Sequence, residues 1–352
     1  MTVKQLPADK IMRLDALLRG AGSVAIITHT HPDGDALGST TALWHFLTAS
    51  LGRKARILVP DAIPSNLGFI VAGDSLLDVS ARPAEAAECA AAADLIVCLD
   101  FNVLSRSAGA ESLVRASGAR KVLIDHHLSP ACEDFDLVFS ETEISSASEL
   151  LYHILLALPE VGSVEKLPEE ARRALMVGMT TDTNNFANSV FPTTLAMASS
   201  LLAAGVDRDD ILANLYNRYG ENRFRAMGAV LSDLMHITPE GVAYFIMDSD
   251  FLRKYEICEG DTEGFVNLPL GIDRVKMSVF LKEDDGYYRV SVRSKKGWSA
   301  NMLARNHFNG GGHECAAGGR LYWPEDIADR KDAAEYLETV TARFMCNRKP
   351  EQ

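Results

Sequence analysis

The sequence predicts an α/β protein of two domains: a larger N-terminal one with a mainly parallel sheet and helices on both faces, then a smaller α/β domain. Three observations carry this. Short, β-branched apolar runs alternate with helical spacings through the first half of the chain, and that order demands crossover connections and a parallel sheet. Beyond residue 238 the composition shifts to strand-like segments around a tight hairpin. Several of the early apolar runs end directly in aspartate or histidine, where open α/β sheets collect their ligands. A length of 352 residues and a hydrophobic content of 47% suit two cores.

Taken in order, residues 8–19 place Ile11, Leu14, Leu17 and Leu18 at helical spacing and stop at Gly20. Residues 24–27 read as a buried strand, and 36–51 as a helix closed by Gly52. Strands follow at 54–59, 94–99, 121–124 and 135–139, with helices at 81–93 and 105–117 between them. Ser145 or Ser146 caps a helix running to Leu158. Residues 169–179 form a helix or a helix-strand junction, and helices at 193–204 and 209–219 come next. An amphipathic stretch, 221–236, reads as a connecting helix. Strands at 242–247, 275–282 and 287–293 follow, the last two flanking the turn Glu283-Asp284-Asp285-Gly286, and helices at 298–307 and 331–344 complete the chain. The expected layout is thus a catalytic domain over 8–220, a connector over 221–238 and a second domain over 239–347.

The chemistry concentrates at the ends of the apolar runs. His29, Asp33 and Asp35 fall where the first strand hands over to a helix. By itself this spacing also fits an aspartate-rich turn with Asp35 capping the helix. The placement recurs, however: Asp100 follows 94–99, Asp125-His126-His127 follow 121–124, and Asp182 follows the apolar run 175–179. Carboxylates crowded together resist joint ionisation unless a cation is present. Carboxylates and imidazoles without thiolate suit divalent cations such as Mn²⁺. In the C-terminal part, residues 287–307 hold Arg289, Arg293, Lys295, Lys296 and Arg305 with no acid, against a net charge of −13 for the chain. Alternation puts Arg289, Ser291 and Arg293 on one strand face. With Gly310-Gly311-Gly312 offering backbone N–H groups as an anion nest and His313 beside them, this reads as phosphate or nucleotide recognition. Tyr287, Tyr288, Trp298 and Phe308 are candidates to stack on a base or to fill the core.

These motifs, in this order, resemble the DHH phosphoesterase superfamily: His29-x-x-x-Asp33-x-Asp35, Asp100, Asp125-His126-His127 and Asp182, then Arg293-Ser294 and the run from Gly310 to Gly319 as in the DHH-associated domain. The layout is closest to the stand-alone nanoRNase/pAp-phosphatase branch. The resemblance implies two metal ions, with His29 and Asp33 on the first, Asp35, His126 and Asp182 on the second, and Asp100 bridging. It implies that His127 faces the substrate phosphate, that Asp125 orients the histidine pair, and that a bridging hydroxide attacks phosphorus. It places the active site in the cleft between the domains, with Arg293, Ser294, Gly311, Gly312 and His313 gripping the rest of the substrate. Arg106 is open to two readings, a phosphate contact or an exposed helix charge.

The expected substrate is therefore a short oligoribonucleotide or 3′-phosphoadenosine 5′-phosphate (pAp). The rival readings are a cyclic or linear dinucleotide (c-di-AMP/pApA) phosphodiesterase, a polyphosphatase or pyrophosphatase, and, from another class, a non-catalytic nucleotide sensor. The acidic balance argues against a long duplex, which needs a broad basic surface. No apolar run is long enough for a membrane span and no signal peptide is legible, so a soluble cytoplasmic enzyme is expected. Six scattered cysteines with no C-x-x-C pair read as reduced thiols, several of them buried. The layout leaves a homodimer open.

Overall fold

The computed structural model describes residues 6–258 and 260–346. Its chain divides into two compact units between Arg218 and Tyr219.

In the first unit, α1 (Ala8–Gly20) leads into β1 (Ser23–Ile27), α2 (Gly34–His45), β2 (Lys54–Val59), β3 (Leu76–Asp78) and α3 (Pro83–Ala92). Then come β4 (Leu95–Leu99), α4 (Gly109–Ala116), β5 (Arg120–Asp125), β6 (Leu137–Ser140), α5 (Ala147–Ala157), α6 (Glu169–Asp182), α7 (Pro192–Ala203) and α8 (Arg208–Tyr216). The sheet runs β3-β2-β1-β4-β5-β6 with every pair parallel. Strand alternation divides the apolar residues between two faces. Val24, Ile26, Val97, Leu99, Val122 and Ile124 pack with α1, α2, α5 and α6. Ala25, Ile27, Ile96, Cys98 and Leu123 pack with α3 and α4. The strand order reverses between β1 and β4, so the crevice at their carboxyl ends is the topological switch point of the sheet.

The apolar run 175–179 is not a strand or a junction; it lies inside α6. Its residues are buried all round because α6 is sandwiched against α2 and α5, and an all-apolar buried helix mimics a core strand in sequence. Close approach is enforced at Gly38 and Gly178. A Cβ on Gly38 would meet the Ala174 carbonyl at 2.7 Å, and one on Gly178 would meet Asp35 Oδ1 at 2.8 Å.

The second unit comprises α9 (Glu221–Ala229), β7 (His236–Ile237), β8 (Val242–Met247), α10 (Ser249–Lys254), β9 (Met277–Asp284), β10 (Tyr287–Ser294), α11 (Ala300–His307), β11 (Gly311–Gly312), β12 (Ala316–Tyr322) and α12 (Ala333–Cys346). Its sheet runs β11-β12-β10-β9-β8-β7, parallel only at β8–β9. One face is covered by α11 and α12 over Val279, Leu281, Tyr288, Val290 and Val292. On the other, Ala226 of α9 and Val230 pack on Phe245, Phe265 and Phe280. The expected connector over 221–238 is therefore a shorter helix, a π-type turn at Val230–Leu234 and a strand, with its apolar side in the second unit's own core.

Among the described residues no helix is long and apolar enough to cross a membrane. The cysteines are all unpaired, and of the six only Cys98 is buried, fewer than expected.

Candidate active site

The acidic and imidazole groups converge at the switch point. After β1 the chain passes through His29, and His31 takes a left-handed conformation (φ 53°) with its N–H donating to Asp61 Oδ2 at 2.6 Å. Asp33, not Asp35, caps α2: its Oδ1 accepts from the N–H groups of Asp35 and Ala36, each at 3.0 Å. Asp35 is thereby free of the capping duty and points into the interior, 1% exposed. Asp100, directly after β4, also holds a left-handed backbone (φ 66°), a costly conformation for a residue with a side chain and one that concentrates at functional sites. Asp125 ends β5 and fixes His127: the His127 N–H donates to Asp125 Oδ2 at 3.1 Å, and Nδ1 lies 2.7 Å from Oδ1. Asp182 arrives from the C-terminus of α6, the one acid of the set that no strand delivers.

Three donor groups result whose residues all belong to the first unit, with ligand atoms of each within 4.8 Å of one another: His29, Asp33 and Asp100; Asp35, His126 and Asp182; and Asp100, Asp125 and His127. Asp100 joins the first two, its Oδ2 lying 3.5 Å from His29 Nε2 and its Oδ1 3.4 Å from His126 Nε2. His126 Nε2 also stands 3.5 Å from Asp182 Oδ2 and 3.8 Å from Asp35 Oδ2. His29 presents Nε2 inward because its Nδ1 lies 2.8 Å from the Thr30 carbonyl, to which it donates.

The electrostatics are those of a site short of positive charge. Burial, reinforced by Asp100 and Asp182, holds the Asp35 carboxyl well above the ordinary range. Asp100 lies well below it: burial works against ionisation, but His126 and His29 outweigh that. Burial also lowers His126, yet Asp182, Asp100 and Asp35 together push it up to about 10. His29 is raised in the same way by Asp100 and Asp33 against its burial. His127 goes the other way; burial lowers it despite Asp125, and Arg106 adds to the lowering. Its Nδ1, 2.7 Å from Asp125 Oδ1, is the ring nitrogen that donates to that carboxylate.

Divalent cations fit this donor set. The Oδ1 atom of Asp100 is buried without a hydrogen-bond partner, between two imidazoles, and the donors are oxygen and imidazole nitrogen with no thiolate. Arg106 stands within electrostatic reach of both His29 and His127, on a 3₁₀ turn whose Arg106 carbonyl accepts the Thr30 N–H at 2.8 Å. Its side chain is half-buried.

In the second unit, Arg293 and Arg289 share the β10 face opposite the α11–α12 core. Register places Lys282, Arg289 and Arg320 side by side across β9, β10 and β12. Like charges directly opposite are unfavourable, and Asp284, 2.9 Å from Arg289, offsets them in part. Tyr287 and Tyr322 form the neighbouring pair, with the Arg320 guanidinium 5.2 Å from the Tyr287 ring centre. Tyr288 and Phe308, by contrast, are core residues.

Of the N–H groups expected to form an anion nest at Gly310 to Gly312, those of Gly310 and Gly312 are already engaged within the protein. Gly312 N–H donates to Asn301 Oδ1 at 3.0 Å, Gly310 N–H to the Ala304 carbonyl, and His313 N–H to the Ala316 carbonyl at 2.7 Å. These glycines serve close packing instead; a Cβ on Gly312 would meet the Ala316 carbonyl at 2.6 Å. Ser294 is buried, its hydroxyl donating to the Trp298 carbonyl, while Gly311 pairs with Gly318. Sequence reading missed three features here: the Asp61 partner of His31, the Ala147 and Ser148 N–H groups on Asp35, and Lys282 with Arg320 beside Arg289. Only the last had a legible signal, since the 283–286 hairpin fixes the register that sets Lys282 opposite Arg289.

Comparison with known proteins agrees with this geometry. Residues 23–179 match the DHH family, N-terminal domain, and residues 241–338 match the DHHA1 domain. The chain is 30% identical over 311 residues to a protein of Bacillus subtilis named bifunctional oligoribonuclease and PAP phosphatase NrnA, spanning 87% of this chain and 91% of that one. A Streptococcus mutans protein, named as the probable equivalent, is 27% identical over 92% of this chain and 97% of its own. The crystal structure of an exopolyphosphatase-related protein from Bacteroides fragilis superposes with a TM-score of 0.89 at 33% identity, covering 98% of this chain and 99% of that one. With both domains present in order and the carboxylate-imidazole cluster at the switch point of its sheet, the chain belongs to the DHH family of phosphoesterases.

Proposed function

We propose that this protein is a metal-dependent phosphoesterase that degrades short single-stranded oligoribonucleotides and removes a phosphate from pAp. The observation that carries the reading is the pair of donor triads joined through Asp100, which stands against an imidazole of each, beside a histidine whose Nδ1 is held by Asp125. The names of the full-length relatives support the substrate class, and the chain's acidic balance sets it against long duplexes.

His29, Asp33 and Asp100 would hold one cation and Asp35, His126 and Asp182 a second, with Asp100 common to both. Mn²⁺ is the best match to the donor set. When bound, two such ions supply charge that stabilises phosphoryl oxygens and acidify a water. The protein's own residues do the rest. Asp125 orients His127, whose Nε2 takes up a proton from solvent and donates it to the departing oxygen, leaving the imidazole neutral again. Arg106 adds a fixed positive charge for the phosphate. Arg293, with Lys282, Arg289 and Arg320 on the same sheet face, binds further phosphates, and Tyr287 and Tyr322 offer rings to a base. His313 contributes through its side chain, since its N–H is already engaged.

A substrate panel with Mn²⁺ tests this: pAp, RNA dimers to pentamers, cyclic and linear di-adenylate, and polyphosphate. Fastest turnover is expected on pAp and the short RNAs. Preference for a cyclic dinucleotide or for polyphosphate would refute the assignment.

A further inference from the structure

Glu149 is the most deeply buried acid that the chemistry above does not use. Its side chain is 0% exposed, and a buried carboxylate is costly unless hydrogen bonds or a paired charge replace its lost water. Here it is a junction. One oxygen, Oε2, accepts from the Ser145 N–H at 3.2 Å, from the Ser145 hydroxyl, and from the Thr194 hydroxyl at 2.7 Å. The other, Oε1, lies 3.6 Å from His153 Nε2. The Glu149 N–H in turn donates to the hydroxyl oxygen of Ser146, the N-cap of α5, at 3.0 Å. Thr194 belongs to the first turn of α7, the helix that follows the loop after Asp182.

What that first turn of α5 does is hold Asp35. The Ala147 N–H donates to Asp35 Oδ2 at 2.6 Å and the Ser148 N–H to Oδ1 at 2.9 Å. A helix N-terminus, with N–H groups that no helical carbonyl satisfies, thus grips both oxygens of the Asp35 carboxylate. The amides can do so only if residues 145–148 keep their path, and that path is pinned by Glu149.

We infer that Glu149 is a positioning residue for the Asp35–His126–Asp182 metal site, acting through the α5 N–H groups that orient Asp35 and through Thr194. This rests on the reading of that triad as a metal site. It assigns Glu149 an effect on one site and none on the site of His29 and Asp33, which its hydrogen bonds do not reach.

The test is Mn²⁺ binding to the full chain, followed by calorimetry and by electron paramagnetic resonance, for the wild type, Glu149→Ala, Glu149→Gln and Thr194→Val. The wild type should bind two ions and give a spin-coupled spectrum. In Glu149→Ala one site should weaken by about 10- to 100-fold while the other keeps its affinity, and the spectrum should become that of isolated Mn²⁺. Glu149→Gln, which keeps an acceptor for Ser145 or Thr194, should recover part of the loss. Should Glu149→Ala not fold, the glutamine and Thr194→Val variants decide, each expected to weaken one site selectively. Wild-type affinities at both sites in the variants, or equal loss at both, would overturn the inference. A wild type that binds no Mn²⁺ would instead remove the metal reading itself, and this inference with it.

Discussion

Asp100 shows how much a single residue carries. Its left-handed backbone would suit glycine or asparagine, and its carboxylate sits between two imidazoles with one oxygen unbonded. Nothing in the apolar packing of β4 depends on that carboxylate. Asp100→Asn, which tolerates the same φ, should therefore keep the circular dichroism spectrum and lose turnover by at least about 1000-fold, with Mn²⁺ affinity falling at both sites. His126 gives a pH prediction whose sign is fixed. Its folded value of about 10 stands above the ordinary 6.5, so the metal-free protein carries a proton there at neutral pH. A cation must displace it, so Mn²⁺ loading should release protons, measurable as calorimetric heats that change with the buffer, and affinity should rise with pH. The same shift stabilises the metal-free fold fully below the ordinary value of 6.5, and that contribution is lost as pH rises through about 10. A metal affinity independent of pH between 6 and 8 would contradict the assignment of His126 as a ligand.

Elements explain what the sequence could and could not announce. The strands at 54–59 and 242–247 were legible to the residue because β-branched runs ended at Pro60 in one and followed Gly241 in the other. Helix α6 was ambiguous because Leu175, Met176, Val177 and Met179 are all buried, leaving no polar face to reveal a helical period. Strand β12 was hidden by Gly318 and Gly319, which read as a loop but serve close packing; Gly319 lies against Phe308. The side-chain donors of the candidate site could be read as spacings after apolar runs, whereas the Ala147 and Ser148 amides have no side-chain signature at all. Element packing also makes a prediction. Gly178→Ala pushes a methyl group against Asp35 Oδ1 and the Ser148 side chain, so it should cost about 1–3 kcal/mol of stability and weaken Mn²⁺ binding. Denaturant midpoints and metal titration check the two effects; an unchanged metal affinity would mean that α6 can shift without disturbing Asp35.

At the scale of the whole molecule, the reading assigns chemistry to the first unit and substrate grip to the second. Arg293→Ala should then raise KM on a short RNA, at a cost on the order of 1.5–3 kcal/mol for a charge-assisted bond to phosphate, with kcat little changed. Turnover of a small generic ester, bis-p-nitrophenyl phosphate, should barely move, and equal loss on both substrates would place Arg293 in the fold or the chemical step. A net charge of −13 is compatible with this because the cations that matter are gathered on one sheet face. The most direct measurement is mononucleotide release from a labelled RNA trimer by metal-stripped protein, titrated with Mn²⁺ and run beside Asp100→Asn. The expected result is no release without metal, full activity at about two Mn²⁺ per chain, and none from the variant at any Mn²⁺ concentration. Full release after exhaustive chelation, or near-normal release from Asp100→Asn, would contradict it.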